Sequence, residues 1–316
     1  MRRVVLFGGL VIIVVGGFFS TENVSAESDY AEIVPFMEIL GDPAHQSIEA
    51  FAIFDDFYYV GMHWVAAYVL DTGDGLVVID ALYDDWVEHV VRGIEKMGLD
   101  PKDIKYVLCT HGHFDHAGGA KVLQDRYGAK VLMTAEDIEL VKETQGDPVL
   151  HFEMADYDVA EDRDVIELGN KRITLYKTPG HTWGTMSIKY QVTDGEQRYT
   201  AMTLGGVGRN FSGVAQTEAY IKSYQRLIEM QDDIHVSMPS HAFMTELFAQ
   251  RNLLLRRQAR DVHPFVNPDA YKASLASFLA QAKDKLVQEQ RGAAMSPVET
   301  LKKLLAPLVE KYQNQK

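Results

Sequence analysis

The chain is poor in several features that would mark whole classes of protein. It has one cysteine, Cys109, in 316 residues, so no internal disulfide can form, whatever the redox compartment. Cys109 ends an apolar, β-prone run with nothing beside it to mark an activated thiol, and it reads as a structural residue. Basic residues are scarce: 31 Lys and Arg stand against 45 Asp and Glu, for a net charge of −14. A chain of that charge repels polyanions, which argues against nucleic acid as a partner. No internal repeat is visible. The longest apolar run, Val4 to Phe19, has about 16 residues against the roughly 20 needed to cross a bilayer.

That run has another reading. Arg2-Arg3 precedes it and the small residues Val24-Ser25-Ala26 follow it, the layout of an export signal cleaved after residue 26. The expectation is a signal peptide over 1–26 and a periplasmic or secreted protein with no membrane contact after cleavage. An uncleaved N-terminal anchor is the alternative. Residues 27–50, with Pro35, Gly41 and Pro43, read as a lead-in with one short helix.

With 47% hydrophobic residues the remainder can build a substantial core. Short β-rich runs at 51–54, 57–60, 65–70 and 76–79, separated by Asp55-Asp56 and Gly73-Asp74-Gly75, predict an antiparallel meander. Trp86, Val90, Val91, Ile94 and Met97 form a helical stripe over 84–97, with Asp84 or Asp85 as cap and Gly98 as stop. A strand over 104–109, a helix over 117–127, a strand over 131–133 and a helix over 135–143 follow. Residues 145–160 read as an irregular loop. Strands at 165–166, 172–176, 186–192 and 199–204, the last two joined across Asp194-Gly195, predict a second sheet. Next come a helix over 218–231, a strand over 234–238 and a helix over 243–257. Helices over 269–289 and 296–313 form the tail. Ser296-Pro297-Val298-Glu299 has the form of a capping box. Leu301, Leu304, Leu305 and Leu308 make a stripe that docks on the body, with Pro307 expected to kink it.

The most informative stretch is Tyr106 to Gly119. Within six residues come His111, His113, Asp115 and His116, too dense a set of imidazole and carboxylate groups to be explained as packing. Their mix suits Zn²⁺, and their spacing prevents all four from facing one tetrahedral ion, so two metals are implied. His111 and His113 alternate to point one way, while Asp115 and His116 serve a second ion. Gly118 and Gly119 let the next helix start close beneath. Two zinc ions about 3.5 to 4 Å apart would share a water ionised at neutral pH, a hydroxide able to attack a carbonyl.

The pattern H-x-H-x-D-H resembles the signature of the metallo-β-lactamase superfamily. The likeness extends over about 51–290, through Thr178-Pro-Gly-His181, Met238-Pro-Ser-His241 and the run Val262 to Tyr271. That resemblance implies an α/β fold, the four-layered αββα sandwich, here with extra C-terminal helices over 291–316. It is similar to the β-lactamase subclass in which His111, His113 and His181 would hold one zinc and Asp115, His116 and His241 the other. Asp115 would also orient the hydroxide. Asp80 resembles the family's buried brace beneath the metal loop. The implied activity is hydrolysis of a small-molecule cyclic amide, a β-lactam, with a lactone or other ester as runner-up and a non-catalytic metal-binding protein as the rival class.

Several departures bear on substrate. Glyoxalase II thioesterases place a bridging Asp where this chain reads Ala201 to Gly206, with no Asp. His113 stands where flavodiiron relatives have Glu. A Ser-x-Ser pair that binds the drug carboxylate in lactamases corresponds to Thr203-Leu204-Gly205, so Thr203 is a candidate substrate contact and Arg209 or Asn210 a replacement anion site. His63, Trp64 and His151 are candidate pocket residues. His45, His89, His235 and His263 read as surface or hydrogen-bonded histidines.

Overall fold

In the computed structural model, residues 40–146, 151–258 and 260–313 are described. The export signal and most of the lead-in lie outside them. The lead-in helix expected within 27–50 appears as α1 (Pro43–Gln46).

Two sheets form. The first takes its strands in chain order: β1 (Phe51–Phe54), β2 (Phe57–Tyr59), β3 (Tyr68–Asp71), β4 (Leu76–Ile79), β5 (Ile104–Leu108), β6 (Lys130–Met133) and β7 (Tyr157–Val159). The meander β1 to β4 is antiparallel. From β4 to β7 pairing is parallel, because the connections now run through α2 (Val87–Lys96), α3 (Phe114–Ala117), α4 (Ala120–Tyr127) and α5 (Ala135–Glu143). The second sheet has β8 (Val165–Leu168), β9 (Lys171–Lys177), β10 (Met186–Asp194), β11 (Gln197–Leu204) and β12 (Val236–Pro239), in spatial order 12-11-10-9-8. In β10, Ile188, Tyr190 and Val192 are buried while Gln191 is exposed, the period of two expected of a strand with one face on a core. The remaining helices are α6 (Val214–Glu229), α7 (Leu247–Leu254), α8 (Pro268–Gln290) and α9 (Pro297–Gln313).

Three apolar clusters correspond to the three interfaces of a four-layered sandwich. Val78, Val107 and Val131 of the first sheet pack with Val90, Ile94 and Leu123 of α2 and α4. Leu70, Val77 and Leu108 meet Ile173, Ile188 and Val192 between the sheets. Met202 and Leu204 lie under Tyr220, Tyr224 and Leu227 of α6 and Leu275 of α8. Leu305 and Leu308 of α9 join the first cluster, so that stripe docks on the body. The Ser296–Glu299 box closes at both ends, at 2.8 and 3.2 Å.

The structure corrects some boundaries. The 84–97 helix begins as a 3-10 turn, Asp84–Trp86, and the cap position of the α-helix falls on Trp86, which makes no side-chain cap bond, rather than on Asp84 or Asp85. Residues 145–160 are not wholly irregular, since β7 adds an edge strand; 147–150 lie outside the described residues. Helix 117–127 starts at Ala120, where Gly119 N–H donates to Leu82 O at 2.9 Å. Helix 218–231 begins earlier, at Val214, and helix 243–257 shrinks to α7 behind a 3-10 turn. Helix α9 continues through Pro307. Val65 leaves the first sheet and bridges to His241, drawing the end of β12 toward the metal loop.

Candidate metal centre

The local chain path explains how adjacent ligands come to face apart. After the strand ends at Leu108 the backbone bends through Thr110 to His113 (φ −73°, ψ 148°), then turns helical at Phe114, and His111 and His113 fall in one donor group while Asp115 and His116 fall in the other. His181 follows β9 and His241 follows β12. The six side chains assemble into two groups, His111–His113–His181 and Asp115–His116–His241, each with its ligand atoms within 4.8 Å of one another.

The donor geometry fits a metal. His113 Nδ1 lies 3.1 Å from both His111 Nε2 and His181 Nε2. In the other group His116 Nε2 is 3.2 Å from His241 Nε2 and 3.3 Å from Asp115 Oδ2, and His241 Nε2 is 3.6 Å from that oxygen. Donors about 2.0 to 2.1 Å from a tetrahedral ion stand about 3.3 Å apart. Four of the five rings are fixed by the nitrogen that faces away: His111 Nδ1 to Thr110 Oγ1 (3.1 Å), His116 Nδ1 to Asp80 Oδ2 (2.7 Å), His181 Nδ1 to Gly208 O (3.0 Å) and His241 Nδ1 to Trp64 O (3.2 Å). Such bonds set the tautomer and turn the other nitrogen's lone pair toward the site.

For four of the five imidazoles electrostatics point the same way, while in the metal-free site His116 holds its proton between two carboxylates. Burial pushes His111 and His181 well below the ordinary imidazole range, and His113 and His241 to about 4, which leaves them neutral. Burial would lower His116 too, but Asp115 and Asp80 outweigh it and raise it to about 10. Burial would raise Asp115, yet His116, with His241 and His113, holds its carboxyl well below the usual carboxylate range.

Asp80 is buried under this centre. Its carboxylate accepts from Thr110 N–H (2.7 Å), Thr110 Oγ1–H (2.8 Å) and His116 Nδ1, and its backbone is left-handed at φ +59°. Asp80→Ala would strand three buried donors, so we expect metal affinity to fall by about 10- to 100-fold and the fold to lose about 3 kcal/mol. Chelator competition and thermal melting check both; an unchanged affinity would remove Asp80 from this role.

The candidate substrate contacts fare differently. Thr203 is fully buried with its hydroxyl 2.8 Å from Tyr190 OH, so it offers nothing to a bound molecule. Arg209 turns to α8, where it bonds Gln281 and lies over the Phe278 ring. Half-buried Asn210 sits against Gly208, whose carbonyl holds His181. Half-buried His63 meets Phe248 edge-on, and burial lowers it to about 4. Trp64 is buried 5.7 Å from the His241 ring. His151 is exposed. No carboxylate stands at 201–206.

Two neighbours escaped sequence reading. Trp183 is 41% exposed two residues from His181, an aromatic surface beside the ligands. Asp137 is buried and accepts from Gly112 N–H, Gly184 N–H and Thr182 Oγ1–H; burial pushes its carboxyl up to about 6 against those three donors. Its signal was Thr134-Ala-Glu-Asp137, a capping-box pattern whose side chains do not cap α5.

An αββα sandwich with two three-donor metal groups at the ends of its strands is the architecture of a metal-dependent hydrolase. The superfamily model for the metallo-β-lactamases matches residues 65–194, and the fold and the paired donor groups agree with a hydrolase of that superfamily. Native FEZ-1 metallo-β-lactamase from Legionella gormanii superposes with TM-score 0.71 and 26% identity, covering 79% of this chain and 99% of that one. Hydroxyacylglutathione hydrolase GloC of Haemophilus influenzae is 24% identical over 190 residues, 57% of this chain and 82% of its own length. The hydroxyacylglutathione hydrolase of Maricaulis maris is 33% identical over 135 residues, 42% of this chain, and the match spans only 46% of that relative.

Proposed function

We propose that the protein is an exported dinuclear zinc hydrolase that opens a small cyclic amide, a β-lactam. The observation that carries this reading is the convergence of six ligand atoms into two adjacent groups, together with a likeness to a β-lactamase that extends over nearly all of that enzyme. When bound, a pair of zinc ions supplies Lewis acidity to a carbonyl and lowers the pKa of water toward about 7. The chain's own part is to fix the ligands: Asp80 orients His116, the Trp64 and Gly208 carbonyls orient His241 and His181, and Asp115 brings a carboxylate to the reacting face. The absence of a carboxylate at 201–206 weighs against the thioesterase activity that the hydroxyacylglutathione hydrolases' names describe. Export rests on residues 1–26 and is tested by N-terminal sequencing of the mature protein from fractionated cells, which should begin at Glu27.

A lactone or another ester is the second reading, favoured by the burial of Thr203 and the turn of Arg209 toward α8, which remove two candidate anchors for a drug carboxylate. The same attack opens either carbonyl, so only comparison of substrates separates them. We expect kcat/KM on zinc-loaded protein to be highest for a penicillin, cephalosporin or carbapenem, against an acyl-homoserine lactone, a hydroxyacylglutathione thioester and a phosphodiester. A lactone or thioester preferred by about a hundredfold, roughly 2.7 kcal/mol in transition-state binding, would overturn the β-lactam assignment. Less than one tightly bound metal per chain after reconstitution would overturn the hydrolase reading in favour of a metal-free binding protein.

A further inference from the structure

We propose that Asp137 is a positioning residue that locks the two loops of the His111–His113–His181 group together, so that this group's affinity for metal is set separately from that of the Asp115–His116–His241 group. The inference rests on the reading of the two groups as metal sites. His111 and His113 come from the loop after β5, and His181 from the loop after β9, far apart in sequence. Asp137, at the start of α5, touches both. Its Oδ2 accepts from Gly112 N–H at 2.8 Å, between the first two ligands, and from Thr182 Oγ1–H at 2.7 Å, next to the third. Its Oδ1 accepts from Gly184 N–H at 2.9 Å. Thr134, one turn earlier, adds a bond from Oγ1 to Gly184 O at 2.8 Å.

The approach is close enough to require glycine at both contacts. A Cβ on Gly184 would lie 2.6 Å from Asp137 Cγ and 2.0 Å from Thr134 Oγ1, and one on Gly112 would lie 2.8 Å from Asp137 O. Asp137 is fully buried, and a buried carboxylate needs donors such as these three. No bond from Asp137 reaches the other group, whose brace is Asp80. Asp80 reaches both groups, His116 directly and His111 through the Thr110 hydroxyl, whereas Asp137 bonds only the loops of the three-His group.

Competition between the full-length protein and a chromophoric chelator for zinc or cobalt(II) tests this. His181→Ala and His241→Ala identify which binding constant belongs to which group. Asp137→Asn cannot accept from all three donors, and we expect it to weaken the three-His site by about 10- to 100-fold while the other changes less than about twofold. Thr182→Val, which removes one donor at nearly constant volume, should give a smaller loss at the same site, and Thr182→Ser should restore it. Melting of the metal-free proteins confirms that the two Thr182 variants fold alike. Equal weakening at both sites, an unchanged three-His site, or failure of Thr182→Ser to restore what Thr182→Val loses would overturn the proposal. A wild-type protein that binds no metal would overturn the metal reading itself, a result distinct from all of these.

Discussion

Asp115→Asn is expected to reduce hydrolysis by at least about a hundredfold, the scale of removing one preorganised charged group from a reacting site, while the protein stays folded. Asp115 Oδ2 is one of the three donor atoms of its group, 3.3 Å from His116 Nε2 and 3.6 Å from His241 Nε2. The amide is nearly the same size but carries no charge, so it binds a cation weakly and no longer offsets the second ion. The fold should survive because Asp80, not Asp115, bonds the outer nitrogen of His116 and the backbone of Thr110. Metal content should drop toward one ion per chain. Exposed His151 provides the control, since His151→Ala should leave kcat/KM unchanged. The measurements are kcat/KM, metal analysis and a thermal melt on the same preparations; full activity in Asp115→Asn would mean that the ligands do not work as two groups.

Elements with a strong period of their own were legible in the sequence. Helix α5 matches its expected bounds because acidic residues open it and Ile138 and Val141 face inward. Strand β10 alternates apolar and polar residues from Met186 to Val192, and its hairpin with β11 turns at Gly195, φ +59°. Strand β7 was missed because it has three residues, none of them buried, at the edge of its sheet. The start of α6 was missed because its cap is Gly213, with φ +110° and no side-chain bond.

The site divides in a similar way. Four ligands stand in one short motif, and their grouping follows from a bent loop giving way to a helical turn at Phe114. His181 and His241 are lone histidines at strand ends, and only the family resemblance singled them out. What holds them was not legible, because the partners of their outer nitrogens are main-chain carbonyls of Gly208 and Trp64, and any residue type supplies a carbonyl. Arg209 misled for a related reason. Its charge suggested an anion site, but its direction depends on Gln281 and Phe278, more than 60 residues along the chain.

Gly205→Ser, which restores the second hydroxyl of the lactamase-like pair, is expected to damage the enzyme. A Cβ at Gly205 would lie 2.0 Å from Met186 O and 3.1 Å from Thr110 Cβ, and the first of these is backbone that cannot swing aside. Met186 N–H donates to Thr110 O at 2.7 Å, and Thr110 is both the neighbour of His111 and the partner of Asp80. Displacing Met186 therefore pulls on the support of both ligand groups. Overpacking of this kind costs about 3 kcal/mol or more, and metal affinity should fall with stability. Gly195→Ala is the comparison: its φ is positive at +59°, but a Cβ there meets nothing within 4 Å, so it should lose only about 1 kcal/mol through backbone strain. Melting temperature, metal content and kcat/KM for a carboxylate-bearing β-lactam are the measurements. A Gly205→Ser protein as stable as wild type and faster on that substrate would show that the loop has room and that a hydroxyl there reads the substrate.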